Sequence, residues 1–136
     1  MDKNTDDFLK GLERTEKRMI QDAEYQTKKF VSSLFNALLE PSPAGTPVVS
    51  GFMRSNWRIG IGSFDNGTVG TKKSVTYQPQ ESSFNALMRA DLSNISTIYI
   101  YNNTPYIQTV NEGTAKQSPV LFVELSLDRG IRRAKA

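Results

Sequence analysis

Arginine and carboxylate side chains are what this sequence offers to chemistry, and their spacing decides what they can do. Neither cysteine nor histidine occurs among the 136 residues. That removes disulfides, thiolate metal sites and cysteine nucleophiles, together with the usual proton carrier near neutral pH. General acid or base work would fall to carboxylates, Lys or Tyr. The carboxylates of Asp65, Glu81, Asp91, Glu112 and Glu124 lie far apart in the chain and form no cluster suited to hydrolysis or a hard metal. Gly60, Gly62, Gly67 and Gly70 fit neither the phosphate-loop spacing nor the dinucleotide fingerprint. A serine nucleophile would need a lysine base, and no serine sits in a nucleophile elbow. The expectation is a protein that is not an enzyme and holds no cofactor or metal.

Cations gather at the end. Arg129, Arg132, Arg133 and Lys135 stand in a stretch short of apolar residues, expected as a basic tail over 129–136 that meets an acidic neighbour or phosphates. The net charge of +3 and pI near 9.2 suit solubility but are too small alone to indicate nucleic acid. No segment approaches the roughly 20 apolar residues of a membrane helix. The acidic, polar start Met-Asp-Lys-Asn-Thr-Asp-Asp is unlike a signal peptide, so we expect a soluble chain that stays where it is made.

The elements that would position these residues follow from periodicity. Thr5 to Glu40 reads as a helix, with Thr5 or Asn4 as its cap and no proline before Pro41. Leu9, Leu12, Met19, Ala23, Phe30, Leu34 and Leu38 form one stripe, densest from Phe30 on. The later half is therefore expected to pack and the earlier half, with Lys10, Arg14, Lys17 and Asp22, to project. Gly11 weakens the first turns, moving the expected ordered start toward Leu12.

Pro41, Pro43 and Pro47 break the chain and open an expected core over 41–128. Asn56 to Ile61 alternates like a half-buried strand carrying Trp57. A flexible loop from Gly62 to Lys73, around Asp65, leads to a possible return strand at Ser74 to Tyr77. Ser82 or Ser83 caps an expected short helix bearing Phe84, Leu87, Met88 and Leu92. Ile98 to Tyr101 is the strongest strand signal, stopped by Asn102-Asn103-Thr104-Pro105 and followed by a helical turn carrying Glu112. Val120 to Ile131 allows a strand by alternation, but its length and Pro119 at a first helical position favour a helix. The fold expected is α+β: a long N-terminal helix over 1–40, then a small, mostly antiparallel sheet with one or two short helices packed on it.

Two stretches carry a resemblance. Thr46-Pro47-Val48-Val49-Ser50-Gly51-Phe52-Met53-Arg54-Ser55-Asn56-Trp57 resembles the signature T-P-V-x-[TS]-G-x-x-R-x-[SN]-W of a family of tailed-bacteriophage neck and tail-completion proteins. Ile100-Tyr101-Asn102-Asn103-Thr104-Pro105-Tyr106-Ile107, with Val110-Asn111-Glu112-Gly113-Thr114 after it, is similar to that family's second element, except that Glu112 and Gly113 are adjacent here. The resemblance implies scaffold roles: an extended lead-in at Thr46 and Pro47, a turn at Gly51, an anchor at Trp57, and Tyr106 and Glu112 fixing the second half. Arg54 is expected to pair with a carboxylate such as Glu112, while Asn103, Pro105 and Gly113 complete the motif.

The same resemblance implies a structural virion protein at the phage head-to-tail junction. It would form a homo-oligomeric ring, commonly six-fold, assembled in the host cytoplasm. Its partners would be portal-bound connector or adaptor proteins on one side, a tail terminator or tail tube on the other, and DNA in the lumen, with no membrane. Interface residues expected on this reading are Lys10, Arg14, Lys17, Asp22, Asp65, Arg129, Arg132 and Arg133. The alternative drawn from the charge alone is a small basic nucleic-acid-binding protein.

Overall fold

A computed structural model of the chain describes residues 2–40, 45–46, 52–68, 80–95, 97–114 and 121–135. The fold is α+β, built on one long helix. Helix α1, Lys3–Leu39, begins at Asp2, whose side chain accepts the Thr5 amide hydrogen at 2.7 Å. The cap is thus Asp2 rather than Thr5 or Asn4: from an extended backbone its carboxylate reaches the third helical amide, which needs a partner. The helix runs through Gly11 without a break, so the glycine's cost of about 1 kcal/mol is outweighed by its neighbours' propensity.

The buried residues of α1, Val31, Phe35, Ala37 and Leu38, fall in its last turns, and polar contacts reach back to Lys28 and Glu24. The stripe expected through Phe30, Leu34 and Leu38 meets this face at Leu38, which is buried, with Leu34 half-buried, but departs from it at Phe30, which is 40% exposed. The reason is geometric. A seven-residue repeat drifts by about 20° per heptad on a straight helix, so three heptads from Leu9 carry the inward face most of the way to the next residue. Phe35, fully buried, stacks its ring against Phe84 with centroids 5.1 Å apart.

Helix α2, Phe52–Ser55, is a single turn preceding strand β1, Arg58–Ile61. The strand is shorter than expected. Asn56 is buried and donates from Nδ2 to the Phe52 carbonyl at 2.7 Å, and such side-chain bonding to local backbone favours a turn over a ladder. Trp57 therefore lies just before the strand, buried, instead of within it. Strand β2, Ile98–Tyr101, pairs antiparallel with β1, Ile59 opposite Ile100 and Gly60 opposite Tyr99.

Helix α3, Gln80–Arg89, covers β1. It starts before Ser82 and Ser83, so neither is its cap. Ser83 is buried mid-helix, and its hydroxyl oxygen accepts the Ile59 amide hydrogen at 3.0 Å, satisfying a strand donor that no second strand reaches. A 3₁₀ turn, Leu92–Asn94, leads toward β2. After β2 come a helical turn α4, Ile107–Thr109, and a π-helical turn, Val110–Thr114.

Helix α5, Phe122–Ala134, packs along the end of α1. It begins at Leu121, in the left-handed conformation at φ 61°, and is capped from a distance. Asn111 accepts the Leu121 amide at its carbonyl, 2.7 Å, and the Val123 amide at Oδ1, 2.9 Å. The residues expected as a basic tail are therefore the second half of this helix. The return strand at 74–77, Pro41, Pro43, Pro47, Gly51, Gly70 and Pro119 lie outside the described residues. The core joins Val31, Phe35 and Leu38 of α1 to Trp57, Ile59 and Leu87, leaving Phe8, Leu12, Met19 and Ile20 of α1 exposed.

Candidate functional site

The last carbonyls of a helix have no partner within it and must find one elsewhere. At the end of α1 three distant segments supply them. Arg129 donates from Nη2 to the Ala37 carbonyl at 3.0 Å. Thr46 donates to the Leu38 carbonyl from both its amide, 3.2 Å, and its hydroxyl, 2.7 Å. Arg54 donates from Nε to the Leu39 carbonyl at 2.6 Å. The Trp57 indole then donates to the Thr46 hydroxyl at 2.7 Å, so Thr46, itself fully buried, both gives and takes. Positive charge at this end also opposes the helix dipole.

Glu40 closes the hub. Its carboxylate pairs with Arg129 Nε at 3.1 Å and with Arg133 Nη1. The Arg133 hydrogen bond first, and the charge of both arginines with it, hold the Glu40 carboxyl below its usual range. Arg132 pairs instead with Asp128 of its own helix at 3.1 Å. The three arginines expected to face a neighbour or DNA thus have carboxylate partners within the subunit. Sequence order hides this, since Glu40 and Arg133 lie 93 residues apart.

The second motif stretch folds toward the first. Asn102 donates from Nδ2 to the Met53 carbonyl at 2.8 Å, while its Oδ1 accepts the Thr104 amide at 3.0 Å. Asn103 donates to the carbonyls of Asp65, 2.6 Å, and Gly67, 2.9 Å. Tyr106 and Glu112 do not fix this half. Tyr106 is 39% exposed, with its hydroxyl pKa raised by partial burial. Glu112 is exposed and accepts from Gln108 at 3.3 Å, and Arg54 reaches Leu39 instead. Asn111, between them, ties the segment to α5.

The loop after β1 is held where it is described. Arg58 donates from both terminal nitrogens to the Asp65 carboxylate, at 2.9 and 3.0 Å, and its guanidinium lies 4.9 Å from the Tyr101 ring centroid. Arg58, with the Gly67 amide adding, lowers the Asp65 pKa. Phe64 packs on Tyr99 and Tyr101 at 4.9 and 5.6 Å. Within the loop expected as flexible, residues 62–68 carry a bidentate pair and two aromatic contacts where low apolar content suggested slack, and residues 69–73 lie outside the described residues.

Lys10, Arg14, Lys17 and Asp22 are exposed on the projecting part of α1. Lys10 pairs with Asp6 at 3.1 Å. Among the described residues, no group of three or more acidic residues could hold a metal ion, and no helix is long and apolar enough to cross a membrane. What the molecule offers is surface: a projecting helix, a groove lined by Ile20, Val31, Ile95 and Ile98 beside it, and a cleft between α1, α3 and α5. No family model matches the chain, and neither do any curated protein or solved structure.

Proposed function

We propose that this chain is a structural ring subunit at the head-to-tail junction of a tailed phage, joining connector to tail around the DNA channel. The observation that carries the reading is the convergence of Thr46 and Arg54 on the final carbonyls of α1, with Trp57 holding the Thr46 hydroxyl. These are the residues on which the family resemblance rests, and they act together as one scaffold element. The hub clamps a helix whose first turns carry Phe8, Leu12, Met19 and Ile20 into solvent, a surface that calls for neighbours. Pairing of Arg129, Arg132 and Arg133 with Glu40 and Asp128 weakens the alternative of a nucleic-acid-binding protein, because those charges are already partnered.

Negative-stain imaging of the purified, concentrated protein tests the reading. Closed rings with a central channel are expected. Monomers whose DNA affinity falls steeply with salt would overturn it in favour of the nucleic-acid reading.

A further inference from the structure

Two features of the surface complement one another. The start of α1 is apolar with a small negative excess: Asp2, Asp6 and Asp7 outnumber Lys3 and Lys10, Lys10 pairs with Asp6, and Phe8, Leu9 and Leu12 beside them are 65%, 40% and 51% exposed. The cleft between α1, α3 and α5, about 530 Å³, is lined by Tyr25, Lys28, Lys29, Ser32, Met88 and Arg133 among others, with no acidic residue in its lining. Tyr25 and Met88 are 65% and 52% exposed, and with Arg133 engaged by Glu40 the cleft offers apolar surface with Lys28 and Lys29 as the cations at its rim. Lys28 is fixed there by donating to the carbonyls of Met88, 3.0 Å, and Ala90, 2.6 Å, which holds its charge at the rim. The Ser32 hydroxyl has no hydrogen-bond partner among the described residues.

The two features cannot meet within one subunit. Both lie on the same unbroken helix, and at 1.5 Å per residue Phe8 and Lys29 are roughly 30 Å apart along its axis. We propose that the acidic, apolar start of α1 docks in the basic cleft of a second copy of this chain. Where tip and cleft engage different neighbours the contact is head-to-tail and propagates into a ring or an open chain, and where two copies exchange tips it closes as a two-fold dimer. Apolar contact supplies most of the affinity, and the opposed charges set which end meets which. The proposal deepens the ring reading and rests on it for closure, though the docking itself would stand in an open assembly.

The test uses the full chain in three forms: the natural one, a tip variant (Phe8→Ser with Leu12→Ser) and a cleft variant (Lys29→Glu with Met88→Ser). All substituted positions are exposed, and circular dichroism checks that each variant keeps its helix content. Mass photometry over a concentration series is expected to show the natural chain assembling and each variant remaining monomeric, the tip variant weakened by about a hundredfold. An equal mixture of the two variants should stop at dimers, because one intact tip meets one intact cleft and nothing remains to extend it. As a charge check, Asp7→Lys should weaken assembly by about threefold to tenfold and Lys29→Asp in the same chain should recover part of it. Rings from a tip variant would overturn the docking and leave the ring reading standing. Open chains, or closed dimers, that depend on both patches would uphold the docking and overturn the ring. A natural chain that never assembles, or a mixture that stays monomeric, overturns the docking outright.

Discussion

Trp57 and Leu38 share one hydroxyl. The Thr46 side chain accepts the indole hydrogen of Trp57 and gives its own to the Leu38 carbonyl, each at 2.7 Å. Thr46→Val keeps the shape and removes both bonds, leaving a buried indole donor without its acceptor. Loss of about 1 to 3 kcal/mol is expected in urea unfolding, with Thr46→Ser much nearer the natural chain. Equal stability of the valine and serine variants would show that the hydroxyl is dispensable.

The inward face of α1 makes a second prediction. Phe35→Ala should cost about 3 to 5 kcal/mol, because the ring is fully buried against Phe84. Phe30→Ala, at a position 40% exposed, should cost less than about 1 kcal/mol. The pair of melting temperatures reads the phase of the helix directly.

Glu40 gives a dependence on pH with a defined sign. Its folded pKa is lowered by Arg133 and Arg129, so its contribution is present above the ordinary carboxylate value of 4.5 and is lost as pH falls through the lower folded value. Glu40→Gln should therefore be less stable than the natural chain at pH 7, and the difference should shrink as the pH is taken below that window. A gap that stays constant from pH 7 into that acid range would remove Glu40 from the hub's energetics.

Close approach of α1 and α5 depends on Gly130. A Cβ there would lie 2.9 Å from Leu34 Cα and 3.0 Å from the Ser33 carbonyl oxygen, both backbone atoms that cannot turn aside. Ser33 also donates to the Gly130 carbonyl at 2.7 Å. Gly130→Ala should destabilise by about 1 to 3 kcal/mol despite the better helix propensity of alanine. Thermal unfolding settles the sign.

Much of the architecture is legible in the sequence because local signals decide it. The absence of proline before Pro41 and the run Ile98 to Tyr101 state a helix and a strand without reference to anything distant. The errors fall where distance or phase matters. Asn111 caps α5 from another segment, and no local pattern at Leu121 announces it. Arg129 and Arg133 read as a basic tail facing an acidic neighbour or phosphates because their partner, Glu40, is remote in sequence. Phe30 fits the seven-residue stripe yet stands at the surface, and Phe35, which the stripe omits, is buried, through a slow angular drift that such a template ignores. Thr46, Arg54 and Trp57 are visible as a pattern in sequence, whereas the shared target of that pattern, the end of α1, appears only in three dimensions.

A rod clamped near one end is also a lever. Glu24 accepts the Leu92 amide hydrogen and Lys28 donates to the Met88 and Ala90 carbonyls, so the hold reaches from the hub back to Glu24. From Glu24 to Leu9 the axis spans roughly 22 Å at 1.5 Å per residue, and a tilt of about 5° there would sweep the far end by about 2 Å. The aim of the outer half is set by the length over which the inner half is held.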